Sequence, residues 1–283
     1  VGFSTIVATA FGVLITAAVL VALVRSLVTR RAPPPHMPRD PGCFAAAAGV
    51  EEVLSALIRR ATVSLYDHSA EDGAAFNALK ADLLRLFPRF HAVARREELG
   101  DRALLYEWRG YDESYAPVIL CAHFDVVPAE DASSWKHPPF SGDIAEGAVW
   151  GRGSQDIKCT LAALLHAAER LISDGFRPKR TVYLAFGGDE ETGGVRGAKR
   201  IGEVLASRGV RASFLLDEGG PIADGLLSFA DRPLALVGIS EKGYMDVLVE
   251  TSGAERAAML RCLRAGPLSA IWRAPSRLSK ARP

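Results

Sequence analysis

The stretch Val118–Pro128 (VILCAHFDVVP) constrains this chain more than any other. Val118, Ile119, Leu120 and Cys121 form a continuous apolar run, the pattern of a strand buried on both faces. The run then delivers His123 and Asp125 at its carboxyl end. Residues two apart in an extended chain project to the same side, so the imidazole and the carboxylate emerge together, as a metal ligand and the acid that orients it. H-x-D alone is short and common by chance. Its weight here comes from four more acids at or after later strand ends: Asp156, Glu190, Glu191 and Asp217.

The surrounding pattern sets the fold class. Apolar residues at helical spacing predict helices over Glu51–Arg60, Gly73–Phe87 (ended by Pro88), Thr160–Asp174 and Val195–Ser207. In the third of these Leu161, Leu164, Leu165, Ala168, Leu171 and Ile172 share one face, and Gly175 closes it. Strands are expected over Arg102–Trp108, Val118–Cys121, Thr181–Phe186 and Ser213–Leu216. Strands alternating with helices predict an α/β fold: a mainly parallel sheet with helices on both faces. Sites in such sheets gather beyond the carboxyl ends of the strands. His123, Glu190 and Asp217 lie there, and Asp156 precedes the strongest helix.

Charge excludes one class of partner. Lys plus Arg number 34 and Asp plus Glu 33, a net charge of +1, without the basic excess that marks a nucleic-acid surface. Cys43, Cys121, Cys159 and Cys262 show no C-x-x-C pairing and read as free thiols, Cys121 and Cys159 within apolar patterns.

The first residues point to a membrane. Phe3–Val24 is uncharged and apolar, long enough as a helix to cross a bilayer, so residues 1–25 are expected to be a single transmembrane anchor. Arg25, Arg30 and Arg31 follow, and the positive-inside rule would keep that flank cytoplasmic. The expected setting is nonetheless single-pass, with the catalytic domain lumenal, vacuolar or extracellular, and orientation stays open between these readings. Residues 26–48, rich in proline between Pro33 and Pro41, read as an extended spacer.

One imidazole among several carboxylates suits zinc or a related divalent ion, and an ion pair polarises a carbonyl and acidifies water. Glu190 and Glu191 are adjacent, so in an extended segment their side chains diverge. One can then ligate while its neighbour handles the proton. His36, His68, His91, His137 and His166 read as surface or core histidines, with His137 packed among Trp135, Pro138, Pro139 and Phe140. Asp143, Glu146, Asp189 and Glu218 read as solvated or turn-capping acids. Lys158 and Arg152 read as offsetting acidic charge or contacting backbone.

Four motifs occur in order: VILCAHFDVVP, WGRGSQDIK (Trp150–Lys158), AFGGDEETGG (Ala185–Gly194) and LLDEGG (Leu215–Gly220). Over roughly Glu51 to Ser252 the chain resembles the co-catalytic zinc peptidases that include aminoacylase, carboxypeptidase S and the glutamate carboxypeptidases (metallopeptidase family 20). Its nearest likeness there is the membrane-anchored carboxypeptidase S and N-acyl-amino-acid hydrolase branch. The resemblance implies two zinc ions, one held by His123 and Asp217 and the other by Glu191, with Asp156 bridging. It implies Glu190 as general base, Asp125 as the clamp on His123, and Gly151 and Gly153 as the turn presenting Asp156. The implied substrate is a small peptide or N-acyl amino acid with a free carboxylate.

The family's second half carries a lid domain and a returning segment with a last histidine ligand. Here residues 49–240 match the catalytic domain, 241–253 the start of a lid, and 254–283 form an atypical tail without histidine. The expectation is an incomplete catalytic domain, impaired in turnover, with a homodimer only where the lid is present. The alternative expectation is an inactive membrane-tethered binding or regulatory homologue.

Overall fold

Five strands form the sheet that carries the site: β1 (Arg95–Glu98), β2 (Ala103–Trp108), β3 (Val118–His123), β6 (Val182–Gly187) and β7 (Phe214–Leu216), in the spatial order β1-β2-β6-β3-β7, while β4 (Ile144–Ala145) and β5 (Ala148–Val149) pair separately as a short antiparallel ribbon. Its helices are α1 (Val50–Ile58), α2 (Gly73–Leu86), α3 (Pro88–Val93), α4 (Lys158–Ser173) and α5 (Ala198–Ser207). This computed structural model describes residues 12–13, 15–25 and 48–220, together with 222–223, 234–235 and 237–238.

The chain divides into two units, Val1–Glu218 and Gly219–Pro283. Within the second, the described residues include an antiparallel pair, β8 (Ile222–Ala223) with β9 (Leu234–Ala235). The expected lid start and tail lie outside the described residues. Residues 1–11 and 14 of the expected anchor and most of the spacer are likewise outside them. Over 15–25 the chain is helical, and Ile15, Val19, Leu20, Val21, Leu23 and Val24 are exposed. Among the described residues no helix is long and apolar enough to cross a membrane.

The sheet is mixed rather than mainly parallel. β3 runs parallel to both β6 and β7, but β2 pairs antiparallel with β6 and with β1. The cause is local: a tight connection turns β1 straight back into β2, and β2 then zips along β6 from Ala103↔Gly187 to Trp108↔Val182. β1 itself, RREE, is a charged edge strand of the kind that discourages further pairing. Its Glu97 takes both guanidinium nitrogens of Arg208 at 2.7 and 2.8 Å, and Glu98 meets Lys80 at 2.7 Å.

Helices do cover both faces. Strand alternation puts Leu104, Tyr106, Leu184, Phe186 and Ala122 on one side, packed with Leu57 of α1, Phe76 and Leu83 of α2, Phe90 of α3, and Leu161 and Leu165 of α4. Ala103, Leu105, Tyr183 and Ala185 face the other side, against Ile201 and Leu205 of α5. The stripe expected on α4 holds except at Leu171, which is exposed; Ala162 is buried in its stead. Pro88 ends α2 as expected and also opens α3 at its first turn, where a missing N–H costs nothing.

Candidate metal centre

The predicted site residues gather where the parallel strands end. His123 closes β3 opposite Gly187 of β6, Glu190 and Glu191 form a 3₁₀ turn just past β6, and Glu218 follows β7 by two residues. Asp156 enters from the loop before α4. That loop needs its glycines: Gly151 and Gly153 have φ of 147° and 86°, and a Cβ on Gly153 would stand 2.6 Å from Val126 Cγ1. The Asp156–Ile157 peptide is cis.

His123 is buried and points its Nε2 at acids. That atom lies 3.0 Å from Asp156 Oδ1, 3.5 Å from Glu218 Oε2 and 3.8 Å from Glu190 Oε2. Its Nδ1 faces the backbone carbonyl of Asp125 at 3.1 Å and Asp125 Oδ1 at 3.3 Å. Asp125 is fully buried, and its reach is wider than the sequence implied. It also accepts the backbone N–H groups of Glu190 at 3.1 Å and Glu191 at 3.2 Å, and the Ser64 hydroxyl.

Two sets of donors among the described residues come within 4.8 Å of one another: His123, Glu190 and Glu191, and His123, Asp156 and Glu218. Asp217 belongs to neither. Its carboxylate is turned back to accept the N–H of Glu218 at 2.9 Å, although its charge reaches Glu190, Glu218 and Cys121. The structure thus brings Glu218, read from sequence as a solvated acid, to the place expected of its neighbour. Adjacent residues at the end of a three-residue strand face opposite ways, and nothing in LLDEGG fixes which of the two faces inward.

The remaining expectations sort cleanly. Asp189 is buried beneath the 3₁₀ turn, accepts the Arg196 N–H at 2.7 Å, and supports the loop rather than joining the cluster. Lys158 is fully buried and gives its ammonium to the carbonyls of Leu57 and Arg60 at 3.1 and 2.6 Å; burial pushes it down to about 7. Arg152 lays its guanidinium over Trp135. His137 stacks on Trp150, with Nδ1 2.9 Å from Asp143. Cys121 and Cys159 are free and half-buried.

The donor set fits a divalent cation. Burial and the negative charge of Asp156 push Glu191 up to about 7, and burial likewise raises Glu190 and Glu218. Burial disfavours the imidazolium of His123, yet Asp125, Glu190 and Asp156 outweigh it and lift that group to about 9. Burial and mutual repulsion disfavour the charge on these acids, so the cluster around one imidazole is a site that a cation would relieve.

The sign of the pH dependence follows. Both folded values lie above the ordinary 4.5 and 6.5. The stability each lends is full below its ordinary value and is lost as pH rises, between 4.5 and about 7 for Glu191 and between 6.5 and about 9 for His123. A cation must displace these protons, so it binds more tightly as pH rises. Zinc at about a hundredfold excess over its dissociation constant is expected to raise the thermal midpoint by roughly 5–10 °C near neutrality. Scanning fluorimetry should find a much smaller rise at about pH 5.

Residues 119–255 match the family model of Peptidase family M20/M25/M40. The chain carries a peptidase M20 domain. It is 42% identical over 163 residues to a probable carboxypeptidase S-like 2 of Dictyostelium discoideum, covering 57% of this chain and 31% of that protein. It is 36% identical over 205 residues to an N-fatty-acyl-amino acid synthase/hydrolase of Mus musculus, covering 72% of this chain and 40% of that one. The chain thus spans well under half the length of these two curated relatives. An M20 family metallo-carboxypeptidase from Sulfolobus solfataricus shares the fold with a TM-score of 0.50 and 23% identity, over 62% of this chain and 38% of that one.

Proposed function

We propose that this M20 domain belongs to a metal-dependent hydrolase that cleaves peptide or N-acyl amide bonds next to a free carboxylate. One observation carries the reading: His123, buried and held by Asp125, belongs to two sets of converging donors, one with Glu190 and Glu191 and one with Asp156 and Glu218. The names of the relatives supply the substrate class.

His123, Asp156 and Glu191 are the proposed ligands, with the fourth position filled by Asp217 or Glu218. The distances favour Glu218 and the family resemblance favours Asp217. A bound pair of divalent ions, most simply zinc, would polarise the scissile carbonyl and acidify the attacking water. Glu190, whose side chain is more than half exposed beside His123, takes the water's proton on Oε and delivers it to the departing amide nitrogen. Asp125 holds the His123 ring so that Nε2 faces the site.

Membrane attachment through residues 1–25 belongs to the same proposal, supported by the uncharged run and by the exposed apolar side chains over 15–25. The deciding experiment is metal analysis of the purified chain with an N-acyl-amino-acid hydrolysis assay. Bound zinc with turnover supports the enzyme. Bound metal without turnover would favour the rival binding homologue, a reading favoured by there being a single imidazole at the cluster among the described residues.

A further inference from the structure

Asp125 is the point where three distant segments meet. Its Oδ1 takes the Glu190 N–H at 3.1 Å and stands 3.3 Å from His123 Nδ1. Its Oδ2 takes the Glu191 N–H at 3.2 Å and, at 2.6 Å, the hydroxyl of Ser64. The Ser64 contact is the shortest of the four and comes from outside the motifs, from the extended segment after α1. Ser64 itself is 2% exposed.

That segment is fixed independently of the site. Val63 pairs in parallel with Val126, the Ser64 N–H donates to Val126 O at 3.1 Å, and the Val126 N–H donates to Thr62 O at 3.0 Å. The Thr62 hydroxyl closes the zipper on Phe124 O. With its backbone locked on both sides of the residue, Ser64 has its hydroxyl aimed at a single oxygen. A buried carboxylate can still turn about its terminal torsion, which is broad and shallow, and a hydrogen bond to an ionised acceptor is a strong restraint on that turning.

We propose that Ser64 is a positioning residue: its hydroxyl sets the plane of the Asp125 carboxylate. Through that plane it sets the direction of His123 Nε2 and the placement of Glu190 and Glu191. Two ligand-bearing loops, from β3 and from β6, then depend on one hydroxyl that touches neither cation nor substrate. The consequence for metal binding rests on the reading of this cluster as a metal site; the link from Ser64 to the two glutamate amides does not.

Ser64→Ala adds no bulk and tests both parts in the full chain. Cobalt(II) titration followed by visible absorption is expected to show binding weakened about tenfold, the usual scale for losing a partner behind a ligand. In the metal-free chain, hydrogen exchange by NMR should speed up roughly fivefold or more at the Glu190 and Glu191 amides. The Val126 amide and the amides of β2 and β6 should keep their wild-type rates. Acceleration spread evenly over the sheet would mean a merely structural serine and would overturn the proposal, as would unchanged exchange at both glutamates. Selective exchange with unchanged cobalt affinity would overturn the step from Asp125 to the ligands. A wild-type chain that gives no cobalt spectrum would instead sink the metal-site reading beneath it.

Discussion

Glu190→Gln is expected to lower hydrolysis of an N-acyl amino acid by about two to four orders of magnitude, the range general-base catalysis contributes, while zinc content stays at the wild-type level. The backbone of Glu190 is held by its N–H on Asp125 Oδ1, so an isosteric amide leaves the 3₁₀ turn where it is. The side chain is more than half exposed, and its ion-pair partner among the described residues is His123 Nε2 at 3.8 Å. That side chain is open to solvent while staying next to the proposed ligands, which is where a proton acceptor for water has to stand. Burial, with the charges of Asp125 and Asp156, raises its carboxyl above the ordinary glutamate range, bringing its basicity closer to neutrality. Glu191→Gln should behave differently, losing metal and activity together. Full turnover in the Glu190 variant, or loss of zinc with loss of rate, would remove Glu190 from the role of base.

The part of this site that sequence could deliver is the part written in consecutive letters. An unbroken apolar run ending in H-x-D has few foldings, and β3 with His123 and Asp125 at its end is where the pattern put it. Direction within the sheet was not legible, because a buried strand reads the same parallel or antiparallel; β2 entered the wrong way round for that reason. β1 was missed altogether, since RREE has no apolar alternation and owes its pairing to β2 and its ion pairs. Asp217 was read as the ligand and Glu218 as a solvated acid, whereas Glu218 is the one that joins the cluster, since a one-residue change of phase exchanges the two faces of a strand. Ser64 and Glu71 left no trace in any motif. Their importance is a matter of which segment the fold lays beside Asp125 and beside Arg196, and a single sequence does not record that.

Removing the Glu71 carboxylate, in Glu71→Ala, is expected to cost roughly 3–5 kcal/mol, the loss typical when one member of a buried ionic cluster is deleted, against about 5–15 kcal/mol for a whole domain. Its side chain is 1% exposed and takes hydrogen bonds from Arg102 Nη2 at 2.5 Å, Arg196 Nη1 at 2.9 Å and the Leu65 N–H at 3.3 Å, with His68 Nδ1 at 3.1 Å. Arg102 is 5% exposed at its side chain and lies flat over Phe76. Without Glu71, two guanidinium groups would face each other with Asp101 alone to divide between them. Burial opposes ionisation of Glu71, but the bonds from Arg196, Leu65, His68 and Arg102 prevail and hold it at about 2, against an ordinary 4.5. A depressed value means stability that is complete above 4.5 and drains away as pH falls toward 2, about 3 kcal/mol in all. Urea unfolding followed by tryptophan fluorescence at neutral pH and at about pH 3 separates these effects. The gap in stability between wild type and variant should narrow across that interval, because the variant lacks this share of the acid dependence. A variant as stable as the wild type at neutral pH would show the cluster to be incidental. Arg196 follows Glu191 by five residues in the same loop, so the cluster also ties down the far end of the segment that carries the two glutamates. A partly stable Glu71 variant should therefore bind zinc less tightly even where it is still folded.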